Sequence, residues 1–375
     1  MEDTDAACLG RIVIAWYWQL KNLFVWKKKY KVSIIIPVYN VHKYIGRCLT
    51  SVFMQECPEV DIECFLVDDC SPDDSMKIAA RMIGGYYNRG GKIHFETIRL
   101  SENSGHCVAR NAVVRIATGD YYLFVDSDDY LEPDAVKYLI EELDSVGDHV
   151  EVVMANALSN RNNRLLSRIP KKRYMDNSNK ECLCMLLNRI LFNTSWNKLV
   201  KANVFTEYGL YFPEGIINED LLWSYLLLLH ARSVLLLPRV TYVYENGNQQ
   251  SITNTNTHDK YLKFIRSRLF ICNQIFSNPP RPVIPDYYGY LFCILHRTKD
   301  IYEHLDDAVG TDTERREIRQ LRHRLLRSTW RYPLLCCLIL TLYKPFYYVV
   351  KIKAFRRYFN YIIRTLVAAS RKLHF

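Results

Sequence analysis

Short apolar runs alternate with amphipathic segments along residues 31–150. The runs have the length and composition of strands and lie at residues 32–36, 62–67, 92–98 and 121–125. The segments between them have the apolar spacing of helices and lie at residues 43–54, 73–82 and 107–117. Because strand and helix alternate with crossovers of suitable length, the pattern predicts an α/β doubly wound sheet for this part of the chain.

The pattern changes at both ends of this α/β segment. Residues 8–26 have the amphipathic spacing of an interfacial helix, whereas residues 151–260 mix strand-like and helix-like segments. The remaining chain is helical in pattern, rich in aromatic residues and finally basic. These changes divide the chain into an N-terminal amphipathic segment (1–30), an α/β half (31–150), a second half (151–260) and a helical, basic extension (261–375).

The positive net charge belongs to the C-terminal tail. Residues 315–375 contain fifteen Lys and Arg and one acid, so the tail carries +14 and the rest of the chain −4. Interleaved basic and aromatic residues favour peripheral contact with an anionic membrane, the alternative being a helical hairpin packed on the main domain. Lys344-Pro345 interrupts the apolar run of the tail, which is too short for the roughly 20 residues of a span. We expect no nucleic-acid partner, since no recognised binding module is present.

The cysteine pattern and the N-terminus indicate the compartment. Twelve cysteines are scattered without zinc-ligand spacing, which is typical of reduced thiols in a reducing compartment. Acidic residues stand at the N-terminus, where a secretory signal would be positive. We therefore expect a cytoplasmic protein that lies at the inner face of the cell membrane.

Acidic residues follow two of the predicted strands. Asp68-Asp69 ends one, and Asp126-Ser127-Asp128-Asp129 ends another. The carboxyl ends of parallel strands meet at one edge of a sheet, so the two groups are expected to share a cleft. Helix capping is an alternative for the first pair. Three neighbouring carboxylates repel one another unless a cation or hydrogen bonds hold them, and a divalent ion such as Mg²⁺ or Mn²⁺ is the favoured partner of the second group.

Two known aspartate motifs offer other interpretations of the second acidic group. An EF-hand calcium loop does not fit, because Tyr130 and Leu131 stand where an Asp or Asn and a Gly are required. A haloacid-dehalogenase-type phosphatase would use Asp126 as its nucleophile. That motif usually follows the first strand of its domain and here follows about the fourth, so it is the weaker alternative.

Between the two acidic groups, Gly105 allows close approach of the backbone and Arg110 projects from the predicted helix. A single Arg is more often part of a surface ion pair. Beside a metal-bound diphosphate, however, a fixed cation would stabilise the charge of the leaving group.

Five motifs in order resemble the family 2 glycosyltransferases of the GT-A fold, in particular those of bacterial surface-polysaccharide assembly. The motifs are VSIIIPVYN (32–40), VDDCSPDDS (67–75), the Asn103-x-Gly105 segment that ends in Ala109-Arg110-Asn111, FVDSDD (124–129) and Asn218-Glu219-Asp220. The resemblance covers residues 31–250. It implies that residues 31–150 bind the nucleotide sugar and that residues 151–260 bind the acceptor.

The resemblance also implies a role for each matching residue. Residues expected to bind the nucleotide are Pro37, Tyr39 and Asn40, which shape its pocket, Asp69, which would bind the base, usually uracil, and Arg110 and Asp126. Asp126 and Asp128, with Asp129 alongside, would form the D-x-D element that meets the ribose and Mn²⁺ or Mg²⁺. Asp220 would be the general base, supported by Glu219. Trp196 is expected either to stack on a sugar or to be buried.

The implied activity is metal-dependent, inverting transfer of a sugar from a nucleotide-diphosphate donor, usually UDP, to a hydroxyl of a glycan or lipid-linked oligosaccharide. The alternative is a noncatalytic α/β protein that binds a nucleotide or a membrane. Three residues depart from the family pattern. Cys70 and Asn218 stand where Gly is common, and Cys107 replaces a small residue. We expect the turn after Asp69 to form without a positive φ.

Overall fold

A computed structural model shows a mixed α/β fold and describes residues 30–246, 258–281, 283–284, 286–291, 294–295, 298 and 312–329. Its strands are β1 (Tyr30–Val38), β2 (Val60–Asp68), β3 (His94–Arg99), β4 (Tyr121–Phe124), β5 (Tyr130–Leu131), β6 (Val152–Ser159), β7 (Arg164–Leu165), β8 (Arg173–Asp176), β9 (Lys198–Lys201) and β10 (Ser233–Tyr244). Its α-helices are α1 (Ile45–Phe53), α2 (Ser75–Asn88), α3 (His106–Val114), α4 (Ala135–Asp144), α5 (Glu181–Leu187), α6 (Asn203–Glu207), α7 (Glu219–His230), α8 (His258–Ser277) and α9 (Asp312–Thr329). A 3₁₀ turn covers Asn177–Asn179.

The described strands form one sheet in the order β3-β2-β1-β4-β9-β6-β10-β5, with β7 paired to β6 and β8 to β10. The first four strands in this order are parallel, as the sequence predicted. The sequence did not predict β9, which runs antiparallel between β4 and β6. Strands β6 and β10 are parallel to each other. The carboxyl ends of β1, β2, β4, β6 and β10 therefore share one edge, which we call the carboxyl edge.

The sheet has a hydrophobic core on each face. In β1, Ile34 and Ile36 pack into one core and Ile35 into the other, as the two-residue period of a strand requires. Full burial of an aliphatic side chain of this size is worth about 1.5–3 kcal/mol. The continuous apolar run is therefore a consequence of burial on both faces.

The described helices of the C-terminal part pack on the domain. Helix α9 buries Ile318, Leu321 and Leu325, and Arg266 of α8 donates to Glu314 at 2.8 Å. Within the described residues, no helix combines the length and apolar character needed to cross a membrane. The amphipathic segment predicted at 8–26 and the tail beyond residue 329 lie outside the described residues.

Candidate active site

The carboxyl edge begins with the turn after β1. Pro37 is buried within the strand, whereas Tyr39 is 43% exposed beside the edge. Asn40 adopts a φ of 54°, and its backbone N–H donates to Ser71 Oγ at 2.9 Å. This bond joins the turns after β1 and β2. The roles expected for Pro37, Tyr39 and Asn40 in nucleotide binding stay predictions.

Asp69 connects the end of β2 to the start of α3. Its carboxylate oxygens accept hydrogen bonds from the backbone N–H groups of Ser104, at 2.7 Å, and Gly105, at 2.8 Å. Burial outweighs these bonds and raises the pKa of Asp69. The structure thus gives this residue a capping contact, and its expected contact with the base stays a prediction.

The turn after Asp69 contradicts one expectation from the sequence. Cys70 has a φ of 57°, so the left-handed conformation is present although the residue is not Gly. Asp68 Oδ1 accepts a hydrogen bond from Ser71 N at 2.7 Å, which closes the turn over this residue. The local bonds therefore hold a backbone conformation that costs an L-residue about 1–2 kcal/mol.

Arg110 lies between acids from both halves of the chain. It is 3% exposed, and its Nη2 donates to Asp126 Oδ1 at 2.6 Å. Its Nη1 lies 3.4 Å from Glu219 Oε1, and its guanidinium lies 5.1 Å from the ring centre of Phe212. The alternative of a surface ion pair is therefore wrong. Arg110 is a buried cation shared by two carboxylates, where its interaction with both is strong.

The acids after β4 have different environments. Asp126 keeps 30% of its side chain exposed, and Asp128 is half-buried. Asp129 is fully buried, and its two oxygens accept hydrogen bonds from the Tyr242 hydroxyl at 2.6 Å and Glu245 N at 2.7 Å. Burial, followed by the charges of Asp128 and Asp126, raises the pKa of Asp129. Asp129 therefore supports the loop 126–129, which we call the metal loop, and its expected role as a metal ligand stays a prediction.

Tyr242 is a site residue that the sequence did not reveal. Its hydroxyl accepts a hydrogen bond from Asp126 N at 3.1 Å while it donates to Asp129. Trp196, 3% exposed, stacks on the Tyr242 ring with centroids 4.5 Å apart and planes 5° apart. Of the two alternatives for Trp196, the structure shows the buried one. An aromatic residue inside a strand-like run gives no signal of a hydroxyl contact to the metal loop.

Glu219 and Asp220 form the first turn of α7, after Asn218 with a φ of 61°. His106 Nε2 lies 2.6 Å from Glu219 Oε1. Burial alone would raise the pKa of Glu219, but the hydrogen bond and charge of His106 and the charge of Arg110 outweigh it and hold that pKa at about 2. Glu219 is therefore ionised at neutral pH. Nothing in the sequence marks His106 as a site residue, although it follows Gly105 directly.

Asp220 has the opposite electrostatic environment. Its Oδ1 is buried and accepts no hydrogen bond from the described residues, although the side chain as a whole is half-buried. Burial, reinforced by the charge of Glu219, raises the pKa of Asp220 to about 7. Two adjacent carboxyls whose pKa values are pushed apart in this way are a recognised feature of acid–base sites.

A second buried cation lies near Asp220. Lys198 has no exposed surface, and burial lowers its pKa to about 7, opposed by the charge of Asp220. Its Nζ donates to the carbonyl oxygens of Phe192, at 3.1 Å, and Thr194, and to Asn197 Oδ1 at 3.0 Å. Lys198 thus fixes the loop before β9. In the sequence, Lys198 ends the segment Trp196-Asn197-Lys198, and neither its spacing nor its charge marks it as buried.

Two sets of residues offer ligands to a metal. Asp126 and Asp128 carry carboxylate oxygens of the kind that Mg²⁺ or Mn²⁺ prefers, and their expected role as metal ligands stays a prediction. Ligand atoms of His106, Cys107 and Glu219 lie within 4.8 Å of one another, a mixed set of a kind that suits softer metals. In the described part of the chain, the three acids of the metal loop do not all come that close together.

Comparison with known proteins identifies the class to which this fold and site belong. Residues 33–209 match the model of glycosyl transferase family 2. Residues 33–209 therefore form a family 2 glycosyltransferase domain, and the fold is the GT-A fold. The family expected from the sequence is confirmed, and the phosphatase alternative is set aside.

Two curated relatives and a solved structure are similar to the chain. It is 28% identical over 236 residues to the poly(ribitol-phosphate) beta-N-acetylglucosaminyltransferase TarS of Staphylococcus aureus, across 62% of this chain and 39% of TarS. It is 31% identical over 227 residues to a poly(ribitol-phosphate) beta-glucosyltransferase of Bacillus spizizenii, across 59% of this chain and 34% of the relative. The chain thus spans less than half the length of either relative. The crystal structure of S. aureus TarS 1-349 with UDP superposes with a TM-score of 0.61 at 21% identity, across 82% of this chain and 86% of that one.

Proposed function

We propose that the protein transfers a sugar from a nucleotide-diphosphate donor, with UDP as the expected nucleotide, to a hydroxyl of a glycan or lipid-linked oligosaccharide, inverting the anomeric configuration. The observation that carries this proposal is the contact network around Arg110. Arg110 Nη2 lies 2.6 Å from Oδ1 of Asp126 in the metal loop, and Arg110 Nη1 lies 3.4 Å from Oε1 of Glu219, the neighbour of Asp220. Residues from both halves of the chain thus come together where donor and acceptor would meet.

A divalent metal fits the metal loop. Asp126 is partly exposed beside half-buried Asp128, and these carboxylates would hold Mn²⁺ or Mg²⁺. Arg110 occupies Oδ1 of Asp126, which leaves Oδ2 for the ion. When bound, the ion would offset the negative charge of the leaving diphosphate. Arg110 stabilises charge at the same place because its guanidinium is buried and always protonated.

Asp220 removes the proton from the acceptor hydroxyl in this proposal. Its raised pKa of about 7 matches a base that works near neutral pH, and its unpaired Oδ1 can accept that proton. Positioned proton transfer of this kind is typically worth about 10²–10⁴-fold in rate. Glu219, held ionised by His106 and Arg110, fixes the start of α7 and therefore the position of Asp220.

Relatives support the choice of donor. The TarS structures are described as complexes with UDP and with UDP-GlcNAc. A further neighbour with a TM-score of 0.50, the mannosyltransferase PcManGT of Pyrobaculum calidifontis, is described with a different nucleotide sugar, GDP-Man, and with Mn²⁺, so it supports the proposed metal and not the choice of UDP. We propose that this chain works at the cytoplasmic face of the membrane, with contact through the basic tail.

Asp220→Asn tests the proposed base. The variant should bind UDP and Mn²⁺ with affinities close to those of the unmodified protein, while turnover falls by about 10²-fold or more. Asp74→Asn is the matched control, because its side chain is 67% exposed. Calorimetry measures binding, and nucleotide release from a panel of nucleotide sugars measures turnover.

Three outcomes separate the alternatives. Near-normal turnover in Asp220→Asn would remove this residue from the reaction. Nucleotide binding by the unmodified protein without nucleotide release from any donor, with glycan acceptors present, would favour the noncatalytic alternative. Absence of nucleotide binding would refute the proposed function as a whole.

A further inference from the structure

An unbalanced run of positive charge follows β6. Residues 160–175 contain six Lys and Arg and no acid, although the chain outside the basic tail is net acidic. All six side chains are exposed, at Arg161, Arg164, Arg168, Lys171, Lys172 and Arg173. Such a run concentrates positive potential on one part of the surface.

Two of these six cations take part in ion pairs. Lys172 lies 2.5 Å from Glu142, and Arg173 lies 2.8 Å from Glu181. The other four have no salt-bridge partner among the described residues, and we call them the basic row: Arg161, Arg164, Arg168 and Lys171. Ion pairing within the fold therefore does not account for the basic row.

The basic row starts at the carboxyl edge, beside the metal loop. Strand β7 folds back on β6, with Arg164 opposite Ser159. Asn160 donates from its backbone to Tyr244 O at 2.9 Å and from Nδ2 to Glu245 Oε2 at 2.8 Å. The backbone N–H of Glu245 in turn donates to Asp129 at 2.7 Å. Glu245 thus connects the turn at 160–163 to the metal loop through hydrogen bonds on both sides.

From this turn the chain runs back along the sheet. Leu166 N donates to Ala157 O at 2.8 Å, and Ile169 N donates to Asn156 Oδ1 at 2.9 Å. Arg173 is then level with Leu236, the strand partner of Met154. The five-residue step along β6 from Ser159 to Met154 corresponds to about 17 Å. The basic row therefore lies on a segment that leads away from the site and ends at Arg173, which is paired with Glu181.

We propose that the basic row binds an acceptor with repeated negative charge, of the class of phosphodiester-linked polyol or sugar chains, and guides it to the metal loop. This inference rests on the proposed function and specifies its acceptor. The Arg guanidinium pairs with phosphate through two parallel hydrogen bonds, and spaced cations match spaced phosphates. The basic row begins next to the metal loop and leads away from it. This arrangement suits an extended acceptor chain that reaches the site better than it suits a flat lipid surface.

The test compares two variants with the same change of charge. Arg164→Gln/Arg168→Gln alters the basic row, and Arg81→Gln/Arg89→Gln alters two exposed arginines at α2 and its end. Fluorescently labelled inorganic polyphosphate and a poly(ribitol phosphate) chain serve as probes, with neutral dextran as the uncharged comparison. We expect affinity for both anionic probes to fall about tenfold in the first variant and less than twofold in the second. Affinity for UDP should not change in either.

Kinetics separate this inference from the proposed function. With a poly(ribitol phosphate) acceptor, the basic-row variant should show a raised acceptor KM with unchanged donor KM and donor hydrolysis. Equal probe affinities in the two variants would overturn the inference, as would loss of binding to anionic vesicles with polymer binding intact. Absence of donor turnover in the unmodified protein would instead refute the proposed function, while the probe affinities would still decide the role of the basic row.

Discussion

Tyr242→Phe tests how the metal loop is held. The substitution removes one oxygen and keeps the ring that stacks on Trp196 at 4.5 Å. Two hydrogen bonds are lost, one to Asp129 Oδ2 at 2.6 Å and one from Asp126 N at 3.1 Å. Among the described residues, the Asp129 carboxyl then keeps only its bond from Glu245 N.

The expected magnitude follows from these two bonds. A buried polar group left without its partner costs about 1–3 kcal/mol. Two such groups, with Asp126 N nearer the solvent, should lower the free energy of unfolding by about 2–4 kcal/mol. Loss of a group that orients a metal ligand typically weakens metal binding by about 10–100-fold. We expect a change of that order in the affinity for Mn²⁺ in the presence of UDP.

Urea unfolding and calorimetry measure the two effects. Tyr244→Phe is the matched control, because its ring also stacks near Trp196, at 5.7 Å, while its hydroxyl bonds none of the described residues. If Tyr242→Phe changes Mn²⁺ affinity no more than Tyr244→Phe does, the hydroxyl does not position the metal loop. Reduced stability with unchanged Mn²⁺ affinity would restrict Tyr242 to a structural role.

Two further predictions concern Asp220 and the tail. Because the pKa of Asp220 is raised to about 7, kcat/KM should rise with pH through that value as the base loses its proton. Between a pH of about 4 and 7, the folded state then binds more protons at Asp220 than the unfolded chain does, so this residue lowers the stability of the fold as pH rises. Asp220→Asn should therefore resist urea better than the unmodified protein at pH 8. Equal stability of the two proteins would contradict the raised pKa of Asp220. Truncation after residue 329 keeps packed helix α9 and should abolish sedimentation with anionic vesicles, whereas unchanged sedimentation would refute a tail anchor.

The sequence predicted the parts of the fold that depend on local pattern. Strand β1 and helix α3 follow from apolar spacing alone, because burial on defined faces imposes that spacing. Strand β9 has four residues and pairs antiparallel with strands distant in the sequence, so long-range contacts determine it. The positive φ of Cys70 depends on a local bond from Ser71 that no residue preference announces.

The candidate site was predictable to the extent that it lies at strand ends. Asp126 and Asp69 follow apolar runs, and their positions at the carboxyl edge are those that a parallel sheet gives. The hydroxyl of Tyr242 contacts Asp129, and His106 contacts Glu219, although the two residues of each pair are 113 positions apart in the sequence. Contacts of this kind depend on the packed fold, which residue spacing does not encode.

Arg110 is a counter-ion shared by Asp126 and Glu219, which the proposed function assigns to the donor and acceptor sides of the site. A charge removed at Asp126 leaves the guanidinium to Glu219 alone, and a charge removed at Glu219 leaves it to Asp126. Under the proposed function, donor binding at Asp126 and the pKa of Asp220 beside Glu219 would therefore not change independently of each other. Paired substitutions at Asp126 and Glu219 are expected to be non-additive in stability, because both change the charge balance around one buried guanidinium.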